Sequence, residues 1–174
     1  MWFEIHCHSN RSDGKNTPDE MVDFAKKNGL SGIVITDHDT IDGSLEMLKH
    51  NSPEFQVIPG MEVSSRDGHI LALNVRELIP KDLSAKETVE RIHSAGGIAI
   101  AAHPYDRYRS GVGDLMHEVD FDAVEVLNGH TFGNTKDPAV EAKKSGLPMV
   151  GGTDAHTAKE VGGVRIKVPK DLIE

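Results

Sequence analysis

The chain has 174 residues, which is enough for one domain with a hydrophobic core and too few for two full domains. With 37% hydrophobic residues, its composition excludes a disordered chain, a collagen-like repeat and a coiled coil. The formal net charge of −9 disfavours nucleic acid and anionic membrane as partners, and ten histidines ask for a chemical explanation.

Short apolar runs alternate with amphipathic segments along the chain and predict seven strands about 25 residues apart. The predicted strands are residues 2–6, 32–36, 55–58, 70–75, 98–102, 123–127 and 149–151. Asp67 and Gly68 form a typical hairpin turn, so we expect strands three and four to be antiparallel neighbours. Buried, mostly parallel strands with outer helices favour a small seven-stranded α/β barrel over an open doubly wound sheet.

Capping signals predict helices between these strands. Residues 17–20 form a capping box with proline at the first helical position, and residues 84–87 form a second box. Asp137 caps a third helix, which ends at Gly146.

Polar residues collect at the carboxyl ends of the predicted strands, where barrels of this type gather their chemistry. They are His6 and His8 after strand one, Asp37, His38 and Asp39 after strand two, Glu62 after strand three, His103 after strand five, and Asp154 and His156 after strand seven. His69 lies instead at the start of strand four, as a reversed strand requires. Unrelated solvated loops would not place these residue types so consistently.

Two pairs of these residues have the spacing of metal ligands. His6 and His8 point to the same side of an extended chain and can bind one ion together. Asp154 and His156 repeat the spacing with an oxygen ligand first. Cys7 points the other way, so we expect it to pack as a small hydrophobic residue and not to bind metal.

The ordered set of motifs from residue 6 to residue 156 resembles the polymerase and histidinol phosphatase (PHP) family. The motifs are His6-x-His8, Ser12-Asp13-Gly14, Ile35-Thr36-Asp37-His38-Asp39, Gly60-Met61-Glu62, His69-Ile70-Leu71, Ala102-His103-Pro104 and Thr153-Asp154-Ala155-His156. The resemblance implies a single-domain, distorted (β/α)7 barrel that holds two or three divalent ions and hydrolyses phosphoesters. Zn²⁺, Mn²⁺ and Fe²⁺ are the candidate ions.

The resemblance also assigns ligands by motif position. One ion would be bound by His6, His8, Glu62 and Asp154; a second would share Glu62 with His69 and His103; and a third would take Asp13, His38 and His156. Asp13 stands where some members have histidine, which makes the third site richer in oxygen. Glu62, Asp154 and His156 are the candidate catalytic residues.

Three such dications against three carboxylates leave about three positive charges, which would attract a phosphate dianion to an acidic protein. Arg107 or Arg109 is the preferred phosphate clamp, with a solvated loop charge as the alternative for each. Asn128 and His130 are further candidates for contact with substrate. Asp37 and Asp39 flank His38, so that either one of them orients its ring or both are exposed.

We therefore expect a metal-dependent phosphoesterase acting on a small phosphorylated metabolite or nucleotide. The chain has no room for the long insertion of many nucleotide-active members, which weakens a specific nucleotide assignment. A 3'-5' exonuclease-type phosphodiesterase is an alternative that the acidic charge opposes. A non-catalytic metal-binding module would have lost ligands, and a barrel of amidohydrolase type would need a lysine after an early strand; neither feature is found.

The cellular setting is predicted from the remaining features. A single cysteine forms no internal disulfide, and residues 1–4 lack the pattern of a secretory signal. No apolar run approaches the roughly 20 residues of a membrane span. We expect a cytoplasmic protein with no membrane partner, and exposed apolar loops on a short barrel favour a homo-oligomer.

Overall fold

The strands of the computed structural model, which describes residues 1–169, are short and interrupted. They are β1 (Trp2–Glu4), β2 (Gly32–Ile33), β3 (Gln56–Val57), β4 (Gly60–Ser65), β5 (Gly68–Leu73), β6 (Ile98–Ala101), β7 (Ala123–Asn128), β8 (Met149–Gly152) and β9 (Ile166–Lys167). The helices are α1 (Pro18–Lys27), α2 (Asp42–Glu46), α3 (Ala85–Ser94) and α4 (Pro138–Ser145), with 3₁₀ turns at Met47–His50, Gly113–His117 and Ala158–Glu160.

These strands form two sheets, ordered β3-β2-β1-β9 and β4-β5-β6-β7-β8. Strands β1, β2 and β3 are parallel, as are β6, β7 and β8, whereas β9 runs antiparallel to β1. The predicted hairpin turn at Asp67 and Gly68 is confirmed, although its first strand is β4 and not the predicted third strand at residues 55–58: β4 and β5 pair antiparallel from Gly60↔Leu73 to Ser65↔Gly68. Strand β5 is therefore reversed relative to β6, which places His69 at its start.

The expectation of a closed seven-stranded barrel is not confirmed. The predicted third strand, residues 55–58, corresponds to β3, which pairs with β2. Pro59 lacks the N–H that a continuous ladder needs, and beyond it β4, which the sequence pattern did not predict as a strand, joins the other sheet. Strand β9, which the sequence pattern did not predict, pairs with β1. Isolated bridges connect the two sheets, Cys7↔Ala155 and His38↔Glu62. The result is a mixed α/β fold whose sheets approach each other at the end that carries the polar motifs.

The predicted helix starts are confirmed because their capping side chains make the expected bonds. Thr17 and Ser84 each accept from the backbone of the glutamate three residues later, and each glutamate side chain accepts from the cap backbone in return. Asp137 caps α4, and Gly146 ends it with a φ of 67°, a conformation that glycine adopts at low cost.

Three clusters of buried apolar side chains form the core. Cys7 is fully buried in the cluster that includes Met21 and Ile33, as its predicted packing role requires. Its thiol donates to the carbonyl of Val34 at 3.4 Å. Among the helices of residues 1–169, none has the length and apolar character needed to cross a membrane.

Candidate metal centre

All nine predicted ligands meet where the two bridges join the sheets, and they divide by depth into two groups. The inner cluster has side chains at most 2% exposed: His6, His8, Glu62, His103 and Asp154. The outer rim has side chains 22–54% exposed: Asp13, His38, His69 and His156. The two groups touch, so the nine side chains form one continuous array.

Glu62 is the centre of this array. It lies in β4, and the bridge to His38 holds its backbone against the end of β2. Its Oε2 lies 3.2 Å from Nε2 of His6, 3.2 Å from Nε2 of His8 and 3.5 Å from Nδ1 of His38, and its Oε1 lies 3.1 Å from Nδ1 of His69 and 3.2 Å from Nε2 of His103. One carboxylate therefore faces five imidazoles with both of its oxygens.

Asp154 is the second buried carboxylate of the inner cluster. Its Oδ1 lies 3.1 Å from Nε2 of His8 and 3.5 Å from Nε2 of His6. Its Oδ2 accepts from Arg109 and, at 3.1 Å, from the Asn128 amide. The backbone of Asp154 is in the left-handed region, with a φ of 57°, and donates to the His6 carbonyl. This costly conformation is maintained by the surrounding contacts and aims the carboxylate at the histidines.

The outer rim is built around Asp13. Its Oδ2 lies 3.1 Å from Nε2 of His156 and 3.6 Å from Nε2 of His38, and its Oδ1 lies 3.7 Å from Nδ1 of His8. The His38 and His156 rings each stack on the His8 ring, with centroids 4.5 Å apart. His8 therefore contacts both groups of ligands.

The two buried carboxylates and the imidazoles shift one another's protonation. Burial opposes a charged His6, yet Glu125, Asp154 and Glu62 raise its pKa well above the ordinary value. Burial likewise opposes charge on His8, but Asp154 and Glu62 raise its pKa to about 9. Burial alone would raise the pKa values of the two acids, and the facing histidines, His6 foremost, lower both. The array strongly favours positive charge between its carboxylates.

The protonation pattern of His6 shows that a cation fits there. Its Nδ1 lies 2.8 Å from a carboxylate oxygen of Glu125, which can only accept, so this nitrogen donates. In the neutral ring, Nε2 then points a lone pair at oxygens of Glu62 and Asp154. Only a proton or a metal ion between these atoms removes that repulsion.

His156 repeats this pattern in the outer rim. Its Nδ1 donates to the Asp154 carbonyl at 2.8 Å, which leaves Nε2 facing the Asp13 carboxylate. Both ring nitrogens of His8 and Nδ1 of His103 are buried without a hydrogen-bond partner among the described residues. Nε2 of His8 is within 3.2 Å of two carboxylate oxygens but not at a hydrogen-bonding angle. Imidazole and carboxylate donors in this arrangement are compatible with divalent metal ions.

Buried glutamates that the sequence reasoning missed support the inner cluster. Glu125 accepts from His6 through Oε1 and, through Oε2, from the backbone of His103 at 2.9 Å and from Asn128 at 3.1 Å. Glu4 accepts from four backbone N–H groups, those of Ile5, His6, Thr153 and Gly162. Burial raises the pKa of Glu4 in spite of these bonds. The sequence did contain a signal for each: Glu4 lies two residues before His6, and Glu125 lies inside an apolar strand.

Position 152 must be a glycine because β8 passes very close to His6 and Glu125 there. A Cβ at this position would lie 2.4 Å from the Cβ of His6 and 2.7 Å from Oε1 of Glu125, both closer than real contacts allow. The absence of a side chain lets β8 pass directly against the imidazole and its acceptor.

The ligand array opens into a cavity of about 300 Å³. Seven of the nine predicted ligands line it, together with Tyr108, Arg109 and Ser110, whereas His6 and His8 lie behind them. Arg109 is the one basic side chain among these described lining residues, and it contacts Asp154. The cavity thus combines buried carboxylates, imidazole nitrogens and a single guanidinium.

The other predicted substrate contacts, Arg107, Asn128 and His130, do not line the cavity among the described residues. Arg107 is exposed and is not among the described residues that line the cavity. Asn128 is buried and donates to Glu125 and Asp154, so it holds a predicted ligand. His130 lies 3.0 Å from Glu160, and its ring centroid is 5.7 Å from that of His156, at the side of the array.

Among the described residues, neither Asp37 nor Asp39 contacts the His38 ring, and the alternative that both are exposed is wrong because Asp37 is 1% exposed. Asp37 accepts from the backbone and hydroxyl of Ser9 and from the hydroxyl of Ser12. Asp39 accepts from the backbone of Ser64. These acids therefore fix the loop after His8 and the loop after β2.

Comparison with family models gives two matches. The model described as PHP domain matches residues 4–125, and the model described as PHP-associated matches residues 139–174. An uncharacterized protein of Methanocaldococcus jannaschii is 41% identical over 143 residues, which cover 75% of this chain and 83% of that protein.

Two further proteins extend the comparison. A protein of Haemophilus influenzae named 5'-3' exoribonuclease is 36% identical over 84 residues, which cover 45% of this chain and 31% of that protein. A two-domain protein from Bacteroides vulgatus, described as containing a predicted PHP-like metal-dependent phosphoesterase, superposes with a TM-score of 0.73 at 21% identity, over 91% of this chain and 52% of that chain. This chain therefore spans about a third of the exoribonuclease and about half of the two-domain protein.

Proposed function

This chain belongs to the PHP domain family, and from that premise we propose that it is a metal-dependent phosphoesterase acting on a small phosphorylated metabolite or nucleotide. The observation that carries the proposal is Glu62, a buried carboxylate that faces five imidazoles at the base of an open cavity. Stability alone does not explain such an arrangement, because buried charges cost free energy unless each is fully paired.

The nine ligands would hold two or three divalent ions. His6, His8, Glu62 and Asp154 are one set; Glu62, His69 and His103 are the second; and Asp13, His38 and His156 are the third. The first set lies close enough for one ion, and so does the third set together with His8. In the second set, Glu62 and His69 lie close enough to share an ion with His38 and not with His103. When bound, zinc, manganese or iron would lower the pKa of a coordinated water and offset the charge of a phosphate.

The chain's own residues supply the remaining functions. Arg109 reaches the cavity and donates to Asp154, and its remaining N–H groups suit a phosphate oxygen. Glu62, Asp154 and His156 are the proposed catalytic residues, since each presents a polar atom to the same cavity. The bond from His156 Nδ1 to the Asp154 carbonyl fixes its ring with Nε2 toward the Asp13 carboxylate.

Phosphodiester hydrolysis in RNA is the second candidate, because one relative is named 5'-3' exoribonuclease. That similarity covers less than half of this chain and opposes the expectation that nucleic acid is disfavoured as a partner. The net charge of −9 and the single guanidinium among the described cavity residues still favour a small substrate.

A phosphatase screen of metal-reconstituted protein tests the proposal. The substrates are mononucleotides, nucleoside bisphosphates, sugar phosphates and an end-labelled oligoribonucleotide, each assayed beside the Glu62→Gln variant. We expect metal-dependent release of phosphate from at least one small substrate. Cleavage of the oligoribonucleotide alone would favour the second candidate, and no cleavage above the variant would overturn phosphoester hydrolysis altogether.

A further inference from the structure

The strand ends that meet at the inner cluster belong to different sheets. His6 follows β1 in one sheet, and Asp154 follows β8 in the other. Among the described strands, β1 is paired with β2 and β9, and β8 is paired with β7, so no strand ladder aligns β1 with β8. The isolated bridge between Cys7 and Ala155 joins the two segments one residue beyond each ligand. A second contact, before the ligands, is needed to fix their relative position.

The Glu4 carboxylate makes this second contact. Its Oε1 accepts from the backbone N–H of His6 at 3.1 Å and from that of Thr153 at 3.0 Å, and its Oε2 accepts from that of Gly162 at 2.9 Å. One oxygen atom therefore holds the backbone of a ligand in the first sheet and the backbone of the residue before Asp154 in the second. The Asp154 N–H in turn donates to the His6 carbonyl at 2.8 Å.

The chemistry of this contact requires a carboxylate. Glu4 is fully buried and accepts from four backbone N–H groups, none of which carries a charge. Burial of a carboxylate without a cation beside it is costly, and an apolar residue at this position would avoid that cost. A carboxylate, however, presents two accepting oxygens and no donor. A glutamine would turn an amide NH₂ group toward at least one of the four N–H groups.

We propose that Glu4 is a positioning residue that sets the spacing of His6 and Asp154 for one metal ion. The inference rests on the proposed metal centre and assigns to it a residue that acts only through the backbone of its ligands. Glu125 differs, because it accepts from the His6 ring itself. Loss of Glu4 changes where the two ligand side chains lie and leaves their chemistry intact, so the inner site should bind its ion less tightly.

Titration of the metal-free protein with Co²⁺ tests this spacing, because the visible spectrum of Co²⁺ depends on the geometry of its ligands. Glu4→Gln keeps the size of the side chain, and the control Val89→Ala removes buried apolar atoms from α3. We expect Glu4→Gln to lower the affinity for the most tightly bound Co²⁺ by about tenfold to a hundredfold and to change its spectrum. Val89→Ala should lower the unfolding free energy and keep both properties.

Two results of this titration would overturn the inference. One is a wild-type affinity and spectrum in Glu4→Gln, and the other is an equal loss of affinity in Val89→Ala. If Glu4→Gln does not fold, Glu4→Asp takes its place with the same expectations, because the shorter carboxylate keeps the charge but cannot reach N–H groups on both sides.

Amide hydrogen exchange in the metal-free protein separates this inference from the proposed function. The Asp154 N–H is the probe, because it donates to the His6 carbonyl and not to Glu4. The Ala72 N–H is the reference, because β5 lies between β4 and β6 in the second sheet. Glu4→Gln should accelerate exchange at Asp154 by about tenfold or more relative to Ala72, whether or not the protein hydrolyses any phosphoester.

The exchange rates also identify a purely structural role. Equal acceleration at Asp154 and Ala72 in Glu4→Gln would show that Glu4 stabilises the fold as a whole, and would overturn the inference. Val89→Ala should give that equal acceleration. Failure of the wild type to bind Co²⁺ would overturn the proposed metal centre, whereas the exchange rates decide separately whether Glu4 fixes the two strand ends.

Discussion

The inner cluster and the outer rim use the same kinds of side chain but are held in different ways. Among the inner ligands, Glu62 lies in β4, and the backbones of His6 and His103 donate to the buried acceptors Glu4 and Glu125. His103 and Asp154 have backbone φ values of 28° and 57°. All four rim ligands are partly exposed; three of them lie on loops, where His38 and His156 approach Asp13 at 3.6 and 3.1 Å, and His69 lies in β5. The inner cluster is therefore preorganised, whereas the rim is adjustable.

This difference indicates a division of labour. A rigid group of buried ligands fixes the spacing of charge, and its energetic cost is offset only when cations are present. A solvated rim exchanges ligands and substrate more readily because water screens its charges. Variants in the two regions should therefore fail in different ways.

The largest loss should follow from Glu62→Gln at the centre of the inner cluster. A neutral amide cannot balance charge on both of its sides, so kcat/KM should fall by about a thousandfold or more. The control Lys143→Ala changes an exposed residue of α4 and should keep the wild-type value. Near-normal turnover in steady-state assays of Glu62→Gln would remove the basis for the inner cluster as the catalytic centre.

The next effect should separate Arg107 from Arg109, the two arginines of the loop that follows His103. Arg109→Ala removes a forked donor from the cavity and should lower kcat/KM by about tenfold to a thousandfold, with metal content unchanged. Arg109→Lys should recover part of the loss because charge remains. Arg107 is not among the described residues that line the cavity, so the kcat/KM of Arg107→Ala should stay within about twofold of the wild-type value. If the two alanine variants have the same kcat/KM, Arg109 is not the phosphate clamp.

Removal of a support should distinguish rigid from adjustable ligands. Glu125→Ala removes the acceptor of the His6 ring and of the His103 backbone and one of two acceptors of Asn128, so metal affinity should fall about tenfold to a hundredfold and unfolding free energy by about 2–4 kcal/mol. Glu160→Ala is the matched change beside the rim, where Glu160 accepts from His156 and His130. It should cost about 1 kcal/mol in urea unfolding. Equal losses of unfolding free energy in Glu125→Ala and Glu160→Ala would contradict the distinction between a rigid inner cluster and an adjustable outer rim.

The smallest effect should come from the rim ligand Asp13. Its carboxylate is 54% exposed, so Asp13→Asn should lower the affinity for one ion by about tenfold and leave the other ions bound. Competition with a fluorescent chelator measures each affinity. Simultaneous loss of every ion would show that the rim and the inner cluster bind as one unit.

The sequence predicted which polar side chains lie together better than the framework that holds them. His6 and His8 were accessible because alternate residues of an extended chain share a side. The same reasoning was applied to Asp154 and His156, which do lie together, although the backbone of Asp154 has a φ of 57°. The positions of the hairpin and the caps followed from local turn and capping chemistry. Each of these signals lies within a few residues of sequence.

Long-range features could not be predicted in this way. Glu125 bonds to His6 across 119 positions, and nothing in its own strand indicates that partner. The separate sheets of β3 and β4 and the pairing of β9 with β1 also depend on distant segments. Loops lack periodicity, so the sequence could not place Arg109 in the cavity and Arg107 outside it.

Metal content tests the central claim most directly. The protein is purified, reconstituted with zinc, manganese or iron, freed of loosely bound ions, and measured by elemental analysis beside Glu62→Gln. The described array of nine ligands predicts two or three ions per chain in the wild type and fewer in the variant. At most one ion per wild-type chain with all three metals would contradict a multinuclear centre.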